Sequence, residues 1–271
     1  MAASVRGSHV SEGSTSATDM MNFTILRFET IDSTNSEAMR QARLGADEGV
    51  CIIARQQSAG RGRHGRTWVS HKDAGLYFSI VLRPKIGPRF LPLITLMTGV
   101  AVHDALADFG LEPDIKWVND ILIDDKKIAG ILAETTETPI GLAVVVGIGV
   151  NRTWQNSTDE IADIATSLEA LSVSAAIPTG EIETTLTTHL GYWYSILCGE
   201  NGPAAIRDEW QRRSSYFRGK GVQVTLGNEI FEGITDGVEE NGALRVKVTD
   251  GSVKVVQAGD VERLRLAVSN A

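Results

Sequence analysis

The chain has 271 residues, with 26 Lys and Arg against 34 Asp and Glu, so its formal net charge is -8. That length accommodates one or two domains and a sizeable core, and the acidic balance excludes a protein whose main task is holding nucleic acid, so any basic site must be local. Cys51 and Cys198 stand far apart, which excludes a disulfide framework or a paired-cysteine metal site, and without a signal-peptide core or a run of about 18 apolar residues a cytoplasmic, non-membrane protein is expected.

Residues 1–22 are rich in Ser, Ala, Gly and Thr without periodicity and predict a flexible tail. Residues 23–28 predict a strand. Thr34 followed by Glu37 then predicts a capping box, and Ala38, Met39, Ala42 and Leu44 mark an apolar stripe that stops at Gly45. Ser33, Thr34 and Asn35 either cap this helix or hold the polar part of a ligand at its N-terminus.

The apolar runs 50–54 and 76–82 predict strands. Between them lies Gly60-Arg61-Gly62-Arg63-His64-Gly65-Arg66, three arginines and three glycines in seven residues. Glycines let main-chain N–H groups approach a ligand, and guanidinium groups hold carboxylate or phosphate in a bidentate way, so the loop reads as an anion clamp. The flanking strands exclude a disordered RNA-binding tail. They also exclude a dinucleotide fingerprint, which must open a helix directly after a strand.

A long helix is predicted over 91–109, with Leu93, Leu96, Met97, Val100, Ala101 and Leu106 on its buried face and a stop at Gly110. His103 within it has no second His or Cys at metal-binding spacing and reads as a packed or surface residue. Residues 115–123 and 127–134, joined by Asp124-Asp125-Lys126, predict a β-hairpin. Lys127 is either a snorkelling edge residue or a charge aimed into a pocket. The continuous apolar character of 139–151 predicts a central covered strand, where Gly147 and Gly149 imply close approach of a backbone or a ligand.

Helices are predicted over 159–171, 179–197 and 204–213. After Arg218 the pattern changes to short strands, 222–226, 230–234, 244–248 and 253–256, punctuated by Asp236-Gly237, Asn241-Gly242 and Asp250-Gly251. This segment predicts a small SH3-like β-barrel. The domains expected are therefore a tail at 1–22, a main domain at 23–215 and the barrel at 216–271.

Five elements, in this order, resemble biotin protein ligase: Ser33-Thr34-Asn35; the loop Gly60 to Arg66 with Trp68; Lys116-Trp117-Val118-Asn119-Asp120; Lys127-Ile128-Ala129-Gly130-Ile131-Leu132 with Glu134; and Gly147-Ile148-Gly149-Val150-Asn151. The resemblance spans 23–265. Two positions depart from the family: Val118 stands where proline is usual, and His64 where arginine is common, which leaves one charge of the clamp dependent on pH.

The resemblance implies an α+β fold: a mixed β-sheet covered by helices, similar to the catalytic domain of class II aminoacyl-tRNA synthetases, with a C-terminal SH3-like β-barrel. It implies activation of biotin with ATP to biotinyl-5′-AMP, and transfer of biotin to a lysine of a biotin carboxyl carrier domain. By the resemblance, Ser33, Thr34, Asn35, Gln57, Gly60, Arg61, Gly62, Arg63, Lys127 and Gly130 bind biotin. Arg63, Arg66, Trp68, Asn119 and Asn151 bind the adenylate, and Lys127, Arg63 and Asp120 carry the chemistry. Mg²⁺ would arrive with ATP rather than in a protein cage. The partner expected is a carboxylase carrier protein, not nucleic acid or membrane, and a homodimer is compatible with the sequence.

Two other functions share part of this pattern. A lipoate or octanoate ligase shares the acyl-adenylate logic, but the Gly-Arg-Gly-Arg loop favours biotin. A biotin-responsive regulator needs a helix-turn-helix, and the roughly 20 residues before Phe23 are expected not to supply one.

Overall fold

The computed structural model describes residues 21–153, 163–171, 177–257 and 259–263. Its first sheet joins β1 (Thr24–Phe28), β2 (Val50–Ala54), β3 (Gly75–Leu82), β4 (Asp114–Lys116), β5 (Asp120–Ile123), β6 (Lys126–Thr138) and β7 (Gly141–Asn151). Their spatial order is β1-β2-β3-β7-β6-β5-β4. β1 runs parallel to β2, and every other pairing is antiparallel, so the sheet is mixed.

Strand alternation sends the apolar residues to two sides. Cys51, Ile53, Phe78, Ile80, Val146 and Ile148 face the main core, while Ile52, Val81, Ala143 and Val145 face a smaller one with Ala38 and Ala42. The smaller core lies under helix α1 (Thr34–Arg43). The main core lies under α2 (Leu93–Ala107), which is itself packed beneath α3 (Thr179–Cys198) and α4 (Gly202–Arg212). With the sheet on one side and two helices on the other, α2 is buried around most of its circumference, Ile94, Thr98 and Val102 included. A single apolar stripe is therefore an underestimate for this helix.

The second sheet joins β8 (Arg218–Leu226), β9 (Glu229–Val238), β10 (Leu244–Lys247), β11 (Val253–Val256) and β12 (Asp260–Arg263). Its order is β11-β10-β9-β8-β12. Among the described residues the terminal strands β11 and β12 do not pair, so the expected closed barrel is instead an open antiparallel sheet of SH3-like kind. Val222, Val224, Leu244, Val246, Val256 and Val261 join the same core as α2. The Trp117 indole N–H donates to the Gly242 carbonyl (2.9 Å), which seats this sheet against the first.

Three local expectations need correction. The run 115–123 is not one strand: the chain turns at Trp117–Val118, a cis peptide, and β4 folds back on β5 with Lys116 opposite Asp120. The capping box does not form. Ser33 is the N-cap without a side-chain bond, Thr34 Oγ1 turns inward to Gln57, and Glu37 is engaged by Arg40 and Gln41. Of the helix expected over 159–171, residues 163–171 form turns and one bridge, and 159–162 lie outside the described residues.

Candidate active site

The site lies on the α1 face of the first sheet and is built by register. Asp120 pairs with Gly130, Gly130 with Gly149, and Gly149 with Tyr77. In the next row of the same face, Leu132 pairs with Gly147 and Gly147 with Ser79. The three glycines form a strip of bare backbone that admits what the loops lay on it. A Cβ at Gly149 would lie 2.4 Å from Trp68 Cε2, one at Gly130 2.8 Å from Trp68 Cζ3, and one at Gly147 2.1 Å from Asn35 Oδ1. The close approach implied by the sequence is thus made by the Trp68 indole and the Asn35 carboxamide.

Lys127 reaches this face through a β-bulge. The β5–β6 register slips between Ile121 and Leu122, so Ile128 and Ala129 both pack into the main core and Lys127 faces the pocket. Bulges re-aim side chains in this way. Its Nζ is 2.6 Å from Asp120 Oδ1 and 5.3 Å from the Trp68 ring centroid. Of the two readings of Lys127, the geometry supports the charge aimed into a pocket.

The polar end of the pocket is a connected network. Gln57 Oε1 accepts from the Thr34 N–H (2.8 Å) and from Thr34 Oγ1 (3.1 Å), and Gln57 Nε2 donates to Ser70 Oγ (2.8 Å). Asn35 Nδ2 donates to Glu134 Oε2 (2.9 Å) and to the Leu132 carbonyl (3.2 Å), while Ser79 Oγ donates to Asn35 Oδ1 (2.6 Å). Ser33, Thr34 and Asn35 are all buried.

The arginine loop is a small hairpin. Trp68 N–H donates to the Gly60 carbonyl (3.0 Å), Gly62 N–H to the Arg66 carbonyl (2.7 Å), and a single turn over Arg63–Gly65 closes it, with His64 at φ 54° and Gly65 at φ 73°. Arg61 pairs with Glu134 at 2.5 Å. Arg66 pairs with Asp260 of β12, and His64 Nε2 lies 3.9 Å from the other oxygen of that carboxylate.

Arg63 differs from its neighbours. It donates to Asn119 Oδ1 (3.1 Å) and to the Gly259 carbonyl (3.2 Å), and among the described residues no carboxylate pairs with it. Burial holds its pKa below the usual guanidinium value. A half-buried cation held by neutral acceptors is prepared for an anion.

Ser33, Thr34, Asn35, Gln57, Arg61, Gly62, Arg63, Arg66, Trp68, Asn119, Asp120, Lys127 and Gly130 all line one cavity of about 160 Å³. Gly60 and Asn151 do not. Gly60 sits behind the loop, where a Cβ would lie 2.3 Å from the Trp68 carbonyl, and Asn151 Nδ2 ties the end of β7 to the Thr166 carbonyl (3.0 Å). Sequence reasoning assigned no role to Ser79, Glu134 or Asp260. The lone serine of an apolar strand was the signal for Ser79, but nothing near Asp260 in sequence reveals that β12 brings it to this loop. Among the described residues no three His, Cys, Asp or Glu side chains gather as a metal site, and no helix is long and apolar enough to cross a membrane.

A mixed sheet carrying a pocket with a hydrogen-bonding end and a cationic end has the chemistry of an enzyme site for a small anionic ligand. Comparison with known proteins gives the family. Residues 27–151 match the Biotin/lipoate A/B protein ligase family, and residues 217–264 the Biotin protein ligase C terminal domain. The chain is 35% identical over 240 residues to a biotin–[acetyl-CoA-carboxylase] ligase of Mycobacterium tuberculosis, covering 86% of each chain. It is 33% identical to the bifunctional ligase/repressor BirA of Bacillus subtilis, over 90% of this chain and 75% of that one. The structure of biotin protein ligase from Aquifex aeolicus in complex with biotin and ATP superposes with a TM-score of 0.76 at 25% identity, over 89% of this chain and 99% of that one. The chain belongs to the biotin protein ligase family.

Proposed function

We infer that the chain activates biotin with ATP to biotinyl-5′-AMP and passes the biotinyl group to a lysine of a biotin carboxyl carrier domain. The observation that carries this reading is the polarity of one small pocket. Thr34, Asn35 and Gln57 fix donors and acceptors at one end, and Lys127 and Arg63 place positive charge at the other. Biotin has the matching shape: a ureido head that needs fixed hydrogen bonds, an apolar ring system, and a carboxylate tail.

In the first half-reaction a carboxylate oxygen attacks the α-phosphorus of ATP, a C(O)–O–P linkage forms, and pyrophosphate leaves. Two anions must approach, so Arg63 and Lys127 act by offsetting their repulsion and the charge of the transition state. Mg²⁺ comes in with ATP and adds neutralisation at the phosphates. Trp68 is the ring available to adenine. Its buried indole Nε1 has no hydrogen-bond partner among the described residues, and a buried donor of that kind suits a polar ligand group.

In the second half-reaction the neutral ε-amine of the carrier lysine attacks the anhydride carbonyl. A C–N bond forms, AMP leaves, and the amine gives up a proton. Asp120, beside Lys127 in the pocket wall, orients that lysine and is the acceptor at hand for the proton. The arginine hairpin serves meanwhile as a lid that keeps water from the anhydride.

Biotin-dependent exchange of pyrophosphate into ATP tests the reading. Wild type should catalyse it, and Lys127→Ala should slow it by roughly 10²–10³-fold, the size of loss expected for removing one transition-state charge partner. Exchange that ignores biotin, or a Lys127→Ala variant near wild type, would contradict the assignment.

A further inference from the structure

Glu134 lies behind the pocket wall, yet a single oxygen of its carboxylate serves two residues that line it. Glu134 Oε2 accepts from Asn35 Nδ2 at 2.9 Å and from Arg61 Nη2 at 2.5 Å. Glu134 is about one-quarter exposed and Arg61 about two-fifths, so solvent screens the pair in part. Asn35 is held from its other side by Ser79 and lies against Gly147, where no Cβ would fit. The carboxylate thus joins the start of α1, strand β6 and the first arginine of the loop.

Arg61 and Arg63 therefore differ in kind. Arg61 already has a carboxylate, supplied by the protein. Arg63 donates to Asn119 and Gly259, lies 3.3 Å from His64 Nε2, and pairs with no carboxylate among the described residues. Lys127 has a counter-ion in Asp120, but both members of that pair line the cavity itself. The same holds for Arg66 and Asp260, so among the described residues Arg63, Lys127 and Arg66 are the cavity-lining cations open to an incoming anion.

We propose that Glu134 is a positioning residue for the activation reaction: it orients the Asn35 carboxamide and pins the loop through Arg61, so Arg61 shapes the pocket without meeting the substrate carboxylate. This rests on the reading of the pocket as a biotin site and refines it. The sequence resemblance groups Arg61 with the ligand-binding arginines; in this proposal its guanidinium serves Glu134 instead.

The test compares binding of biotin and of biotin methyl ester, which lacks the charge, by calorimetry. The ratio of the two affinities does not change with the fraction of protein folded. Arg61→Met and Glu134→Gln should each weaken both ligands about tenfold, the scale of a lost charge-assisted hydrogen bond, and leave the ratio as in wild type. The double variant should lose little more than either single one, because the two residues act as one unit. Arg63→Met should weaken biotin and spare the ester, so the ratio falls. A selective loss of biotin over ester in Arg61→Met would overturn the proposal, as would additive losses in the double variant or an unaltered Glu134→Gln. Failure of wild type to bind biotin would overturn the functional reading and this proposal with it, whereas binding with a shifted Arg61→Met ratio would overturn the proposal alone.

Discussion

Replacing Gly147 by alanine tests how the site is built. The added methyl would lie 2.1 Å from Asn35 Oδ1 and 2.8 Å from Asn35 Cγ, on a strand paired on both sides by β3 and β6. The backbone cannot retreat without breaking those ladders, so the carboxamide must leave. Its departure removes the bonds to Ser79, Leu132 and Glu134. Two neutral bonds at about 1 kcal/mol each and one charge-assisted bond at about 1.5–3 kcal/mol sum to roughly 3.5–5 kcal/mol. The lower unfolded-state entropy of alanine offsets about 0.5–1 kcal/mol of this. A net destabilisation of about 2.5–4.5 kcal/mol is expected, read as the unfolding free energy in urea, with loss of biotin affinity in the same protein. Asn35→Ala removes the obstacle, so the double variant Asn35→Ala/Gly147→Ala should be no less stable than Asn35→Ala alone. A Gly147→Ala protein within about 0.5 kcal/mol of wild type and binding biotin normally would refute the reasoning.

Three further outcomes follow from the same geometry. Gly149→Ala drives its methyl into the Trp68 indole, so biotinyl-adenylate should dissociate faster, measured as intermediate retained after gel filtration; undiminished retention would remove Trp68 from the adenylate site. Asp260→Asn removes the negative charge beside Arg66 and His64; it should raise adenylate leakage, scored by labelling of bystander lysines, and leakage at the wild-type level would show that the second sheet does not hold the lid. Burial pushes the Asp104 carboxyl up, but His103, Arg213 and Trp193 outweigh it and hold its pKa at about 2. Because the folded value is depressed, the stabilisation is present above the unfolded value near 3.8 and is lost as pH falls through about 2. After solvent screening it is on the order of 1–2 kcal/mol, so Asp104→Asn should be less stable at neutral pH with the gap closing in acid; a gap independent of pH would contradict this.

Strands bounded by turn residues were legible from the sequence alone. The runs 50–54 and 253–256 coincide with β2 (Val50–Ala54) and β11 (Val253–Val256), because an uninterrupted apolar or alternating run ends where the chain must turn. Residues 115–123 were misread because strand propensity is continuous across them. What folds them is non-local: Asn119 exchanges bonds with Ile131 on β6, and Trp117 reaches the second sheet. The same limit applies to the site. Asn35, Gln57, Arg63 and Lys127 stood in motifs whose chemistry could be read, but the bulge that turns Lys127 inward depends on pairing between β5 and β6. Asp260 reaches the loop only because the second sheet docks on the core of the first, and no local pattern encodes that contact. Periodicity also understated α2, since it records one buried face and not the helices that cover the other.

Transfer of biotin to an acceptor lysine is the decisive step. The purified protein should be incubated with MgATP and a biotin carboxyl carrier domain, with biotin or lipoate supplied in parallel, and the acceptor mass measured. One biotinyl group on a single lysine, dependent on both ATP and biotin and absent with lipoate, is the predicted result. An acceptor left unmodified, or modified with lipoate in preference to biotin, would contradict it.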